Sequence, residues 1–351
     1  METKVKKINR QALCKEDFAE AVNILKQGGL VAFPTETVYG LGGDALDVCA
    51  AAKIYSAKGR PLDNPLIVHI ANREDIYQLA KDIPDTAWKL ADKFWPGPLT
   101  MILKKGQLVP NSTTGGLATV AIRMPSDQIA AMLIRESGLY IAAPSANASG
   151  RPSTTRAEHV YEDLAGRIPL ILDGGPVQIG LESTIVDLSG EYPIILRPGY
   201  ITLEQLKEIL PDVVYDHAVI SRRQDDNIVA KAPGMKYRHY APKGSLTIYE
   251  GTEDAVVCKI NQETKEKIEQ GYRVAVLSAS ETSGRYKYGL VKNVGARCKE
   301  QQIAANLFEV LREFDEEKIE FIYAESFDTA QLGQAIMNRL LKAAGYHIVR
   351  V

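Results

Sequence analysis

Leu30-Val-Ala-Phe-Pro-Thr-Glu-Thr-Val-Tyr-Gly-Leu-Gly42 runs from an apolar stretch through a proline into hydroxyl residues and glycines. The apolar part, Leu30 to Phe33, is bounded by Gly28-Gly29 and Pro34, and reads as a buried strand. The segment before it, Phe18 to Gln27, reads as a helix ended by those two glycines. Beyond Pro34, small and hydroxyl residues and glycines would let the backbone approach a ligand, or simply form a capped strand-to-helix turn. A further helix is expected near Asp47.

Outward from this stretch, short apolar strands recur at 66–70, 99–103, 120–122, 140–143, 170–172 and 184–188. Helical patterns at 86–94, 128–136 and 156–165 separate some of them. The mixture lacks the strict alternation of a βαβ array, so an open, twisted mixed sheet flanked by helices is expected over 1–210. Residues 211–244 lose periodicity and read as a linker, long enough to be a functional loop. From 245 to 351 strands and helices alternate, which predicts a smaller doubly wound domain with a mostly parallel sheet. That domain has neither G-x-G-x-x-G nor a P-loop, so its fold alone implies no nucleotide site.

At 351 residues the chain is long enough for two domains. Its 45% apolar and 25% charged residues are ordinary for a soluble protein, and a formal charge of −2 offers phosphate backbones no general attraction. Cys14, Cys49, Cys258 and Cys298 are too scattered for a zinc site or a disulfide framework. A cytoplasmic protein is expected: Met1-Glu-Thr-Lys-Val-Lys-Lys7 is no signal peptide, and no apolar run reaches the roughly 18 residues of a membrane span.

The chemistry gathers in six clusters. The first is the opening stretch, with Thr35 and Thr37. The second, Lys58-Gly-Arg-Pro-Leu-Asp-Asn-Pro-Leu66, sets Lys58 and Arg60 in a proline-fixed loop suited to phosphate or carboxylate, although a solvated turn is the commoner fate of such a pair. Asn64 follows it, then His69, which as a lone histidine in a strand is more often a packed residue. The third, Thr119-Val-Ala-Ile-Arg-Met-Pro125, places Thr119, Ala121 and Arg123 on one strand face. An inward guanidinium needs a carboxylate, from the protein or from a ligand, and the ligand is the preferred partner. The fourth, Ala142 to Thr154, strings Ser145, Asn147, Ser149 and Ser153 through small residues after a strand, offering N–H groups and hydroxyls to an anion. Gly180-Leu-Glu-Ser-Thr-Ile-Val-Asp187 and Ile195-Leu-Arg-Pro-Gly199 complete the set, with Ser183 and Arg197 at strand ends. No Ser-His-Asp signature, H-E-x-x-H or Cys/His cluster accompanies them, so covalent catalysis lacks support. The residues suit positioning a phosphate compound and neutralising its charge.

In order and spacing, PTETVYGLG, K-G-R-P with N-P-L, PGPLT, TVAIRMP, PSAN-x-SG, ESTIVD and LRPG resemble the YrdC/Sua5 family, over about residues 15–205. The block Pro233-Gly-Met-Lys-Tyr-Arg-His-Tyr-Ala-Pro242 and the domain after it resemble the two-domain Sua5 form. The resemblance implies a YrdC-like twisted open sheet with a positively charged groove, a linker lid, and a Rossmann-like C-terminal domain. It implies a nucleotidyltransferase, an L-threonylcarbamoyladenylate synthase that joins L-threonine, bicarbonate and ATP with release of pyrophosphate. Its product would serve the tRNA threonylcarbamoyl-transferase machinery that forms N6-threonylcarbamoyladenosine beside the anticodon of tRNAs reading ANN codons.

By the same resemblance, Thr37, Thr35, His69, Arg123, Ala143 and Ser183 would line a threonine pocket. Lys58, Arg60, Asn64, Thr119, Ser145, Ser153, Arg197 and the linker residue Tyr237 would hold ATP, with Lys58 and Arg60 offsetting charge in the reaction. Mg2+ would arrive with ATP and need no protein cage, and the resemblance leaves room for a weak tRNA contact. The residue before the block, Ala232, departs from the family pattern, which has serine there. The rival from another class is a non-catalytic RNA-binding module in tRNA or ribosome maturation, which the net charge and the lack of aromatics among Lys/Arg runs disfavour. Carbamoyl transfer for metallocentre maturation, by larger proteins with zinc-finger cysteines, lacks those cysteines here.

Overall fold

The computed structural model describes residues 1–220, 231–233, 239–327 and 330–351. The chain divides into two compact units: of the described residues, 1–149, 153–220 and 231–233 form the first, and 150–152 with those from 239 onward form the second.

The first unit is built on one mixed sheet of β1 (Lys4–Lys7), β2 (Val31–Phe33), β3 (Gly40–Asp44), β4 (Ile67–His69), β5 (Leu99–Lys104), β6 (Thr119–Arg123), β7 (Ile141–Ala142), β8 (Leu170–Asp173), β9 (Thr184–Asp187), β10 (Ile194–Arg197) and β11 (Val214–Tyr215). Their spatial order is β1-β8-β2-β3-β7-β4-β6-β5-β9-β10-β11. The helix expected near Asp47 runs Val48–Lys58, with the Asp47 carboxylate accepting from the Cys49 N–H and Gly59 closing it at φ +63°.

Three strands lie where the sequence predicts none. Gly40–Asp44, expected as a turn, is β3, antiparallel to β2 with Val31 opposite Gly42. Its glycines serve packing, since a Cβ on Gly42 would sit 2.7 Å from both Phe33 and Ile141 side-chain carbons. Gly42→Ala is therefore expected to cost about 1–3 kcal/mol by overpacking, measured by denaturant titration; an unchanged midpoint would show the strands can part freely. β1 is polar in sequence yet pairs parallel with β8 through its backbone. β11 pairs parallel with β10 inside the segment expected as linker, and His217–Ile220 is a short helix, so ordered structure of the first unit extends past residue 210.

Alternation along the strands sorts the core onto two faces. Ala32, Val68, Met101, Val120, Ile122, Ala142 and Ile171 join one large apolar cluster. On the other face Val31, Phe33, Ile141, Leu170 and Leu172 pack with residues of helices Ala19–Lys26 and Gln128–Ser137. The second of these is fixed by Asp127, whose carboxylate accepts from the Ile129 and Ala130 N–H groups, a cap worth about 1 kcal/mol. Across β4, β5, β6, β9 and β10 that face carries only a small cluster of Ile67, Ile102, Ala121, Ile185, Leu196 and Ala232. Among the described residues no helix contributes a side chain to this cluster, and one linker residue, Ala232, is buried in it.

The second unit has an all-parallel sheet of β12 (Ser245–Glu250), β13 (Val274–Ser278), β14 (Leu290–Asn293), β15 (Phe321–Glu325) and β16 (Ile348–Arg350), ordered β14-β13-β15-β12-β16. Helix Glu253–Glu269 covers Tyr249, Val274, Val276 and Tyr323 on one face, while Leu246, Ile248, Ala275, Leu277 and Ile322 are buried on the other, as a doubly covered parallel sheet requires. Residues 150–152 join this unit through an Arg151 to Asp315 ion pair of 3.2 Å and an Arg312 hydrogen bond to the Pro152 carbonyl. Among the described residues no helix is long and apolar enough to cross a membrane.

Candidate active site

The half-face that carries this small cluster is where the chemistry lies. β4 and β6 are parallel and pair His69 with Arg123, while β5 runs antiparallel to β6 and pairs Thr100 with Arg123. His69, Arg123 and Thr100 therefore stand side by side on three strands, and Ser183 closes the row, its Oγ 2.8 Å from the Thr100 Oγ1.

Arg123 is buried, and the structure gives it a protein carboxylate, the partner ranked second from sequence: Nη2 lies 2.7 Å from Oε1 of the equally buried Glu36. The N–H vectors do not follow that line. Neither Glu36 oxygen receives a hydrogen bond, and Nε and Nη2 of Arg123 donate none. Nη1 donates to Thr37 Oγ1 at 2.9 Å, and Thr37 Oγ1 lies 2.8 Å from Thr35 Oγ1, which donates to the Val38 carbonyl. Buried polar groups are rarely left unpaired, so a fork of two adjacent N–H groups that donates no hydrogen bond, despite a carboxylate 2.7 Å from Nη2, is a candidate carboxylate receptor.

His69 is fully buried beside Phe33 and this guanidinium. Burial first, then the Arg123 charge, pushes its imidazole down to about 3 from the usual 6.5. Nδ1 of the neutral ring lies 3.1 Å from the Ile67 carbonyl, and the Ile141 backbone is a second hydrogen-bonding partner of the imidazole. Because the unfolded chain takes up a proton below pH 6.5 and the folded one does not until about 3, stability falls as pH drops through that window. Its slope is up to about 1.4 kcal/mol per pH unit. His69→Asn should flatten the fall in melting temperature between pH 7 and 5; an unaltered slope would locate the acid sensitivity elsewhere. Ala143, just past β7, is buried, and its N–H donates to that same Ile67 carbonyl.

Thr119 begins the strand that Arg123 ends, about 13 Å away at roughly 3.3 Å per residue and on the same face. Parallel pairing of Ile67 with Ala121 sets Thr119 beside the Asn64-Pro65 loop. There Arg60 donates Nη2 to the Pro65 carbonyl at 3.0 Å, and Asn64 is buried with its Oδ1 unpaired. Lys58, the last residue of its helix, directs Nζ at the carbonyls of Ser145 and Asn147. Lys58 and Arg60 are 3% and 9% exposed, which excludes the solvated turn. Ser145 donates its hydroxyl to Asn147 Oδ1, and buried Ser153 donates to Glu182. The register of β10 against β9 shifts between Ile195 and Arg197, and the Arg197 Nε and Nη2 reach the Ser183 carbonyl and Oγ at 3.0 and 3.1 Å. Its Nη1 meets the Pro233 carbonyl at 3.4 Å, and Lys231 lies 3.7 Å from Asp187, so the linker residues 231–233 rest on this face. Tyr237, with Lys236 and Arg238, lies outside the described residues.

The expected residues thus fall into two groups: Thr35, Thr37, His69, Arg123, Ala143 and Ser183 around the end of β6, and Lys58, Arg60, Asn64, Thr119 and Ser145 around its start and the neighbouring loop. Ser153 and Arg197 are tied to the 182–183 turn. Sequence reasoning missed the acids set among the cations, Glu36, Glu182 and Asp187, although all three sit inside motifs it quoted. Among the described residues no group of three or more His, Cys, Asp or Glu could cage a metal ion.

A family model described as "Telomere recombination", for Sua5, YciO and YrdC proteins, matches residues 23–199, and one described as "Threonylcarbamoyl-AMP synthase, C-terminal domain" matches 201–345. A relative in Pyrococcus abyssi named threonylcarbamoyl-AMP synthase is 49% identical, over 94% of this chain and 95% of its own. One of the same name in Bacillus subtilis is also 49% identical, over 95% and 94%. The crystal structure of Pyrococcus abyssi Sua5 complexed with L-threonine superposes with a TM-score of 0.93 at 46% identity, covering 99% of this chain and 100% of that one. By these matches the chain belongs to the Sua5/YrdC family, in the two-domain form that joins a YrdC-like unit to a Sua5 C-terminal domain.

Proposed function

We propose that the chain is an L-threonylcarbamoyladenylate synthase, joining L-threonine, bicarbonate and ATP and releasing pyrophosphate and water. The observation that carries this is the Nε/Nη2 fork of Arg123, which donates no hydrogen bond and is buried beside a neutral His69 and the Thr37 hydroxyl. A planar fork suits a carboxylate and an uncharged imidazole suits a hydroxyl, the two features that threonine carries on neighbouring carbons. Binding there would aim the amine along β6 toward Lys58, Arg60, Asn64 and Thr119, where the triphosphate would lie.

The amine takes the carbon of bicarbonate to give N-carboxy-threonine, and the new carboxylate attacks the α-phosphorus of ATP, expelling pyrophosphate. No protein nucleophile takes part. Lys58, Arg60 and Arg197 offset charge developing on the phosphates, as preorganised cations do in a site that excludes water. With no cage for it among the described residues, Mg2+ enters on the phosphates of ATP as part of that substrate. The carbamate is short-lived in water, and linker residues 231–233 on the open half-face support a lid role for the segment. The adenylate then passes to the transferase that modifies tRNA, in the cytoplasm.

Pyrophosphate release, measured with ATP, bicarbonate and each amino acid in turn, tests this. Release should require both threonine and bicarbonate; release with ATP alone, or equally with serine, valine and threonine, would contradict it.

A further inference from the structure

We infer that Glu36 is the receptor for the amino group of the amino-acid substrate and accepts the proton that this group must lose before it can be carboxylated. The inference rests on the threonine-binding reading of the Arg123 pocket and assigns a residue that reading leaves unused.

Glu36 is 6% exposed, and neither of its carboxylate oxygens receives a hydrogen bond. Its ion-pair partner is Arg123, with 2.7 Å between Oε1 and Nη2 but without an aligned N–H. A buried ion pair that served only stability would be expected to satisfy its lone pairs and N–H groups, because desolvating two charges is otherwise uncompensated. This pair is instead incomplete on both sides: a carboxylate lacks donors and a guanidinium fork lacks an acceptor. A zwitterion completes both at once, its carboxylate on the Arg123 fork and its ammonium on Glu36. The chain itself holds the two receptors in register, since Thr37, the residue after Glu36, accepts from Arg123 Nη1, and the Glu36 carbonyl accepts from the Ile179 N–H. Among the described residues Glu36 is the carboxylate paired with this guanidinium, and neutral His69 adds no competing cation beside it.

The same contact serves the chemistry. An ammonium has no lone pair, so one proton passes from nitrogen to the Glu36 carboxylate, giving a free amine and a carboxylic acid. The nitrogen lone pair then forms the N–C bond to bicarbonate while the C–OH bond breaks. The departing hydroxide takes the second nitrogen proton and leaves as water, giving the carbamate anion, and Glu36 later returns its proton to solvent. Charge and hydrogen balance: ammonium plus bicarbonate yield carbamate, water and one proton.

The test compares L-threonine with (R)-3-hydroxybutyrate, which keeps the carboxylate, hydroxyl and methyl but lacks the amine, by calorimetry on the full-length chain. The wild-type protein should prefer threonine at least 100-fold. In Glu36→Gln threonine should weaken at least 30-fold while the analogue binds equally or more tightly, because Arg123 loses its competing carboxylate. Glu36→Asp, which keeps the charge that the fold contains, should retain an intermediate preference. Saturating Glu36→Gln with threonine, bicarbonate and ATP should leave kcat at least 100-fold down. If threonine and the analogue weaken together in both variants, Glu36 only braces Arg123 and the inference is overturned; an unchanged preference overturns it too. If wild-type protein binds ATP but not threonine, the threonine reading itself has failed.

Discussion

Arg123→Ala is expected to abolish threonine-dependent pyrophosphate release, a loss of at least a thousandfold, while the affinity for ATP stays within about threefold. Losing a charge-assisted bidentate contact in a desolvated site supplies the size of the effect. The same change strands the Glu36 carboxylate in the interior, where breaking a buried pair costs about 3–5 kcal/mol, so the melting temperature should fall as well. Stability and catalysis can be separated. Arg123→Leu combined with Glu36→Leu should regain most of the lost stability, since apolar replacement of a buried pair is often neutral, yet remain inactive. A stable, active double variant would place the carboxylate receptor elsewhere.

Lys58→Met has the next largest expected effect. Removing a preorganised cation from a phosphoryl-transfer site costs about 100- to 1000-fold in kcat. Lys58 also gathers the Ser145 and Asn147 carbonyls, so the loop should loosen and ATP affinity should fall. Threonine binding in the absence of ATP should stay within about threefold, because the Arg123 end of β6 lies about 13 Å from its Thr119 end. Calorimetric titrations with each substrate alone decide the matter. Equal weakening of both would refute two subsites at opposite ends of one strand.

The helices are legible in the sequence because caps and periodicity agree locally: Asp47 and Gly59 bracket one, Asp127 and Gly138 another. In the second unit, alternating strands and helices read off in order. What escaped was structure held by distant partners. β3 is written in glycine because Phe33 and Ile141 press on it, and glycine carries no apolar signal. β1 is lysine-rich and joins β8 through backbone groups alone.

The site divides the same way. Period 2 sets Thr119, Ala121 and Arg123 on one face, and the cations announce anion binding. That Arg123 faces Glu36 depends on β6 lying near the turn after β2, a contact 87 residues apart that no local pattern encodes. The family resemblance supplied the substrates; the geometry added the acid that sits among the cations.

The most direct measurement follows labelled carbon. With ATP, L-threonine and 13C-bicarbonate, the adenylate formed by the full-length protein should carry the label in its carbamoyl group, one per pyrophosphate released, and omitting threonine should stop both. Pyrophosphate released without label entering an adenylate, or formed at the same rate when bicarbonate is removed, would contradict a carbamate attacking ATP in this groove.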